Sequence, residues 1–265
     1  MSKINGKGTA LVTGASSGIG AVYADRLARR GYDLILVARN GKRLDALAGR
    51  LIEETGRSVQ TIAADLNDKA GIARVETVLR TNRTLTLLVN NAGLGATAPL
   101  LEADVEKMEQ IIGLNVTALT RLTYAAVPGF VARGGGTVIN IASVVAIAPE
   151  LLNGVYGGTK AFVLAFSRSL DHELATKGVR VQAVLPGATA TDFWEASGRP
   201  VENLPKEIVM SAADMVDASL VGLDRGETVT IPALADLAQW ENFESARRAM
   251  NGQLSKATPA ARYRA

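Results

Sequence analysis

Ala10-Leu11-Val12-Thr13-Gly14-Ala15-Ser16-Ser17-Gly18-Ile19-Gly20 is the stretch on which the fold turns. A short apolar run gives way to a glycine-rich turn, and the turn to the start of a helical pattern. In such a strand–turn–helix, Gly14 allows the tight turn. Gly18 and Gly20 let the helix start approach a neighbouring strand and a ligand with no Cβ in between. Backbone N–H groups there, with the positive end of the helix dipole, suit a phosphate. Glycine turns also serve plain packing, so this one acquires its weight from the pattern of the remaining chain.

Beyond residue 20, strand-like and helix-like segments alternate. Strands are predicted over 9–13, 33–38, 59–64, 85–89, 137–141, 179–185 and 228–231. Most are continuous apolar runs, as expected where both faces of a sheet are buried. Helices are predicted over 19–30, 42–54, 69–80, 104–132, 155–177, 212–223 and 234–250. Right-handed crossovers then give an α/β fold: a doubly wound, seven-stranded parallel sheet with helices on both faces. Its ligand crevice opens at the carboxyl ends of the strands. No repeat or linker divides the chain, so residues 1–251 read as one domain and 252–265 as a polar, basic tail. Residues 191–210 are long for a connection and carry Phe193, Trp194, Gly198, Pro200 and Pro205; they read as a substrate lid.

Composition removes several classes of function. Of 265 residues, 48% are hydrophobic and 21% charged, ordinary for a globular enzyme. The formal charge of +3 comes with no dense Lys/Arg cluster, which argues against nucleic acid as a partner. With no cysteine and a single histidine, His172, disulfides, thiolate sites and multi-histidine metal sites are out of reach, and no metal is expected. No apolar stretch is long enough for a bilayer and the start has no apolar leader core, so the expectation is a cytoplasmic protein with no membrane partner.

Thr13-Gly14-Ala15-Ser16-Ser17-Gly18-Ile19-Gly20, Asn90-Asn91-Ala92-Gly93 and Tyr156-x-x-x-Lys160, in that order, resemble the short-chain dehydrogenase/reductase family, over residue 7 to about 233. The resemblance implies a Rossmann-like fold and a nicotinamide-dependent oxidoreductase whose catalytic group is Asn115, Ser143, Tyr156 and Lys160. The residues themselves make chemical sense. Tyr156 and Lys160 are four apart on a predicted helix and share a face. A phenol near pKa ~10 is a poor base, but a neighbouring ammonium favours the phenolate. The phenol can then give a proton to a carbonyl being reduced or take one from an alcohol being oxidised. Ser143, just past the fifth strand, can hold the substrate oxygen. By resemblance, Lys160 also binds the nicotinamide ribose, and Asn115 holds a water that links the lysine to solvent. Each of these residues alone has a bland reading, as a surface pair, a strand end or a helix kink. Their joint occurrence is the argument.

Ala38-Arg39 stands where an NAD-preferring site commonly carries a carboxylate. With no acid to repel a 2′-phosphate and a guanidinium to grip it, NADP(H) is favoured, with NAD(H) still possible. Arg39 could instead stack on adenine, and Ser17 is not the second basic residue that many NADP(H)-using relatives have there. The resemblance assigns cofactor contacts to Gly14, Ser16, Ser17, Gly18, Ile19, Gly20, Arg39, Asp65, Leu66, Asn91, Ala92 and Gly93. It adds Pro186, Gly187, Thr189 and Thr191, together with Tyr156 and Lys160. Asp65 would meet the adenine amino group, and Thr189 and Thr191 the nicotinamide carboxamide, presenting the 4-pro-S hydride. Asn90 is expected to brace the sheet instead.

Leu94, Val145, Leu152, Phe193 and Trp194 are the candidate substrate contacts. All are apolar, which points to an uncharged ketone or aldehyde with hydrophobic bulk. Phe193 and Trp194 could equally anchor the lid to the core. Phe162, Phe166, Leu170 and Leu174 repeat every four residues and face either the core or a second subunit. The resemblance implies a homo-oligomer, a dimer or tetramer. Two rivals stand beside the NADP(H) reading: an NAD-dependent hydroxy-compound dehydrogenase, and a non-catalytic cofactor sensor on the same fold. Sensors of that kind usually lack the tyrosine or the lysine, and both are present here.

Overall fold

The computed structural model describes residues 7–264. From the amino end the elements are β1 (Thr9–Thr13), α1 (Gly18–Arg29), β2 (Asp33–Ala38), α2 (Gly41–Thr55), β3 (Val59–Ala63), α3 (Lys69–Thr81) and β4 (Leu85–Asn90). Next come α4 (Val105–Ile112), α5 (Leu119–Ala132), β5 (Gly136–Ile141), α6 (Gly154–Leu174) and β6 (Val179–Val184). The series ends with β7 (Thr189–Ala190), α7 (Phe193–Ala196), β8 (Met210–Ser211), α8 (Ala212–Asp224), β9 (Val229–Thr230) and α9 (Leu237–Ala249). Seven strands form one parallel sheet in the order β3-β2-β1-β4-β5-β6-β9.

Alternation along the strands builds two apolar layers. Ala10, Val12, Leu34 and Leu36 pack with Tyr23 and Leu27 of α1, Leu44 and Leu51 of α2, and Met215 and Leu220 of α8. Leu11, Ile35 and Val37 point the other way, onto Val75 and Leu79 of α3, Leu122 and Phe130 of α5, and Leu170 and Leu174 of α6. Because β1 pairs with both β2 and β4, successive crossovers diverge there and open a crevice over its carboxyl end. The chain divides into two compact units after Pro232. The smaller one carries α9, whose first turn Asp236 caps and whose Trp240 and Phe243 rings stack at 5.4 Å.

Three elements differ from the sequence expectation. The helix expected over 104–132 is interrupted by a π-helical turn, Gly113–Ala118, between α4 and α5. The cause lies in Asn115, whose side chain bonds the Leu94 backbone in both directions and takes up a wider turn than 3.6 residues would give. The last strand keeps only Val229–Thr230, paired with Ala183 and Val184. Residues 191–210 are not structureless. They contain α7 and two 3-10 turns, and the parallel pair of β7 with β8 joins their ends. Among the described residues no helix is long and apolar enough to cross a membrane, and no group of His, Cys, Asp or Glu could hold a metal ion.

Candidate active site

The glycine turn is pressed against the end of β4. A Cβ on Gly14, whose φ of +65° already favours glycine, would lie 2.8 Å from Asn91 Nδ2 and 2.9 Å from Ala92 Cα. One on Gly20 would overlap the Gly14 carbonyl. Thr13 holds the two segments together, a role that the sequence pattern does not single out. Its hydroxyl donates to the Val89 carbonyl (3.2 Å) and accepts the N–H groups of Asn91 and Ala92 (3.0 Å each). Asn91 Nδ2 donates in return to the carbonyls of Thr13 (2.9 Å) and Gly14 (3.2 Å).

The start of α1 is treated unlike those of six other helices. Asn40, Asp68, Asp104, Asn153, Ser211 and Asp236 each accept a backbone N–H at the starts of α2, α3, α4, α6, α8 and α9. Ser17, a residue well suited to capping, makes no such bond at α1. The first N–H groups of that helix are therefore left for something else to satisfy. Ser16, Ser17, Gly18 and Ile19 are half-buried around it, and Thr191 lies 3.0 Å from where a Gly18 Cβ would be. Arg39 is exposed past the end of β2. Asp65, also exposed, accepts the Asn67 N–H (2.9 Å), while Leu66 beside it is buried.

Asn115, Ser143, Tyr156 and Lys160 all lie buried near the carboxyl ends of β4, β5 and β6. Lys160 Nζ donates to the Ile141 carbonyl (2.8 Å) and stands 5.8 Å from the Tyr156 ring centroid. Burial pushes its pKa down to about 8. Burial also pushes the Tyr156 phenol well above the ordinary tyrosine range, while a hydrogen bond with Ser143 pulls the other way. The Ser143 hydroxyl in turn donates to the Pro186 carbonyl (3.3 Å). Asn115 Oδ1 accepts the Leu94 N–H (2.9 Å), and its Nδ2 donates to the Leu94 carbonyl (2.9 Å) and Thr159 Oγ1 (3.1 Å).

Asn153 lies outside the motifs. Its Oδ1 accepts the N–H groups of Val155 (2.9 Å) and Tyr156 (3.3 Å), and its Nδ2 donates to the Ala98 carbonyl (2.7 Å). One buried amide thereby starts α6 and ties it to the loop after β4. An Asn directly before a predicted helix is a capping signal, so the sequence does carry a trace of it. Asn90 Nδ2 donates to Asn140 Oδ1 (2.9 Å) and Thr123 Oγ1 (3.0 Å), bracing the sheet beneath the site.

Leu94, Val145, Leu152 and Phe193 gather with Ala96, Met108 and Ile111 into one apolar cluster around Tyr156. The Phe193 ring lies 5.7 Å from that of Tyr156. Trp194 stands edge-on to Phe193 and donates its indole N–H to the Thr189 carbonyl (3.0 Å), which fixes α7 to β7. Thr97 donates to the Ser197 carbonyl from both its backbone N–H (3.3 Å) and its hydroxyl (2.9 Å), fastening the lid to the loop after β4. Arg43 pairs with Asp192 at 3.3 Å. Arg133 is occupied structurally, donating to the Leu85 carbonyl (2.7 Å) with its guanidinium over Phe130.

A family model described as short chain dehydrogenase matches residues 8–201. A short-chain dehydrogenase from Sphingobium yanoikuyae, solved in complex with NADPH, is 49% identical with a TM-score of 0.94 over 97% of this chain and 100% of that one. The bulky-bulky ketone specific alcohol dehydrogenase from Comamonas testosteroni is 44% identical, with a TM-score of 0.89 over 97% of this chain and 98% of that one. The serine 3-dehydrogenase of Agrobacterium fabrum is 38% identical over 188 residues, which are 70% of this chain and 74% of that protein. Likeness of this extent runs through the sheet as well as the crevice, and it makes the chain a member of the short-chain dehydrogenase family of oxidoreductases.

Proposed function

We propose that the protein is an NADP(H)-dependent oxidoreductase that interconverts a bulky apolar ketone and its alcohol, with Tyr156 as general acid and base. The observation that carries this reading is the buried phenol itself, beside the Lys160 ammonium and walled by apolar side chains. Two relatives support its finer parts: one is described in complex with NADPH and one as specific for bulky-bulky ketones.

A nicotinamide dinucleotide suits the crevice on this chain's own terms. The uncapped start of α1, with the Cβ-free turn before it, offers backbone N–H groups to a pyrophosphate. Arg39, with Ala38 in place of an acid, favours a 2′-phosphate. Asn91, Ala92, Gly93, Pro186, Gly187, Thr189 and Thr191 would border the cofactor between the adenosine and nicotinamide ends, and Lys160 would hold the nicotinamide ribose. When bound, the reduced cofactor supplies a hydride to the carbonyl carbon. Tyr156 gives its proton to the carbonyl oxygen, Ser143 steadies that oxygen, and Lys160 stabilises the phenolate left behind. A water at Asn115 returns the proton from solvent. In the alcohol-oxidising direction each transfer runs backwards.

The side chains clustered around Tyr156 are apolar, which favours an uncharged substrate with hydrophobic bulk. Tyr124 is exposed and stacks on Phe166 at 6.4 Å, and Phe166 on Phe162 at 5.6 Å. This aromatic ladder across α5 and α6 supports assembly with further copies of the chain, as a dimer or tetramer. The test is a panel of carbonyls and alcohols assayed with both cofactors through nicotinamide absorbance. Turnover of diaryl or long-chain ketones is expected, faster with NADPH than with NADH at matched concentration. Faster turnover with NADH would remove the Arg39 argument. NADPH binding with no turnover across the panel would favour the sensor reading.

A further inference from the structure

The segments that follow β2 and β6 leave the sheet four strand spacings apart, about 19 Å, and yet they meet. After β7 the chain runs back across the carboxyl ends of the strands. Thr191 lies against Gly18, and Asp192 Oδ2 reaches Arg43 Nη1 at 3.3 Å. Arg43 is fixed in the first turn of α2, where its own N–H goes to Asn40 Oδ1 (3.1 Å). Asp192 directly precedes α7, whose Phe193 packs on Tyr156. One ion pair thus joins the helix beyond Arg39 to the helix that walls the phenol, passing over the glycine turn between them. Its side chains are 59% and 71% exposed. Such a pair is weak and screened by salt, a poor structural bridge but a suitable fastener for something that must open.

We propose that Arg43 and Asp192 form a clasp that closes over the bound dinucleotide and slows its release. The proposal rests on the reading of the crevice as a nicotinamide dinucleotide site. Both are positioning residues: they act through the path that they close. A clasp therefore retains NADPH and NADH alike, in contrast to a cation that binds a 2′-phosphate.

The experiment is displacement of pre-bound NADPH or NADH in a stopped-flow instrument, followed by nicotinamide fluorescence, at low and at high salt. Arg43→Gln and Asp192→Asn are each expected to speed release of both cofactors about two- to fivefold at low salt. The double variant should release no faster than the faster single, because both lose the same bond. Near ~1 M salt the difference from wild type should vanish. The swap of Arg43→Asp with Asp192→Arg should restore slow release. Wild-type release rates in Asp192→Asn would overturn the clasp, as would an effect of Arg43→Gln confined to NADPH, which would make Arg43 a phosphate ligand. A wild-type protein that binds neither nucleotide would overturn the underlying reading, and the clasp with it.

Discussion

Beneath the substrate space, Asn115, Asn153, Thr159 and Lys160 are buried, and each engages its polar atoms with named backbone or side-chain partners in β4, β5 or α6 and the loops beside them. Above it, the segment from β7 to β8 is held by an exposed ion pair, by two bonds to the single carbonyl of Ser197, and by the indole of Trp194. The floor resembles a preorganised site, in which side chains that handle protons are immobilised before substrate arrives. The cover is fastened by few polar contacts, beside the burial of Trp194 and the packing of Phe193 on Tyr156. On the proposed function, the contrast separates the chemistry, assigned to the floor, from access and retention, assigned to the cover.

The sharpest way to break that division is Tyr156→Phe. Loss of the proton donor should lower turnover by about 100-fold to 10,000-fold while the affinity for NADPH, titrated by fluorescence, changes little. Turnover near the wild-type rate would move the chemistry away from the floor altogether.

Next in size is the effect of pH through Lys160. Its folded pKa of about 8 means that reduction should hold steady below that value and fall by up to about tenfold per unit above it, as the ammonium is lost. Lys160→Met should have a flat profile at a lower rate. The same shift reaches stability. The unfolded chain keeps this proton up to the ordinary 10.5, so between about 8 and 10.5 the folded state binds fewer protons and gains stability as pH rises. Below 8 the cost of burying the charge is felt in full. Melting of wild type and Lys160→Met should therefore converge between pH 8 and 10. A constant gap across that window would mean that Lys160 keeps its proton in the folded protein up to the ordinary 10.5.

The smallest effect belongs to the cover. Thr97→Val deletes one of the two bonds to the Ser197 carbonyl, a loss of about 1 kcal/mol at most. The KM for a bulky ketone should shift by up to about fivefold, and more than kcat does. A fall in kcat comparable to that of Tyr156→Phe would show that cover and floor are one unit.

The floor is far more legible in the sequence than the cover. Tyr156 and Lys160 sit at helical spacing, Ser143 ends a strand-like run, and the glycine turn comes directly after another, so local pattern places each and their joint occurrence gives them weight. The sheet is legible for the same reason: Leu11, Val12, Ile35 and Val37 lie in apolar runs that both faces need. Arg43 and Asp192 are 149 positions apart and Thr97 and Ser197 are 100 apart, with no periodicity that could join them. Thr13 is hidden otherwise, since a threonine in a strand looks like strand propensity until its hydroxyl is seen bridging two loops. The π turn is beyond reach because one wide turn hardly disturbs a helical pattern. Only the poor helix propensity of Asn115 marks the place.

That turn has a consequence for anyone who would redesign the chain. Most substitutions on the outer face of α4 or α5 would leave the backbone path alone. Deleting any one residue between Gly113 and Ala118 would let the segment close into an ordinary helix that turns through nearly the same total angle, so α5 would keep its facing relative to α4. Leu122 and Phe130 would stay in their layer, while the wide turn that carries the Asn115 side chain to Leu94 would be lost. Here the number of residues is the design constraint, more than their kind.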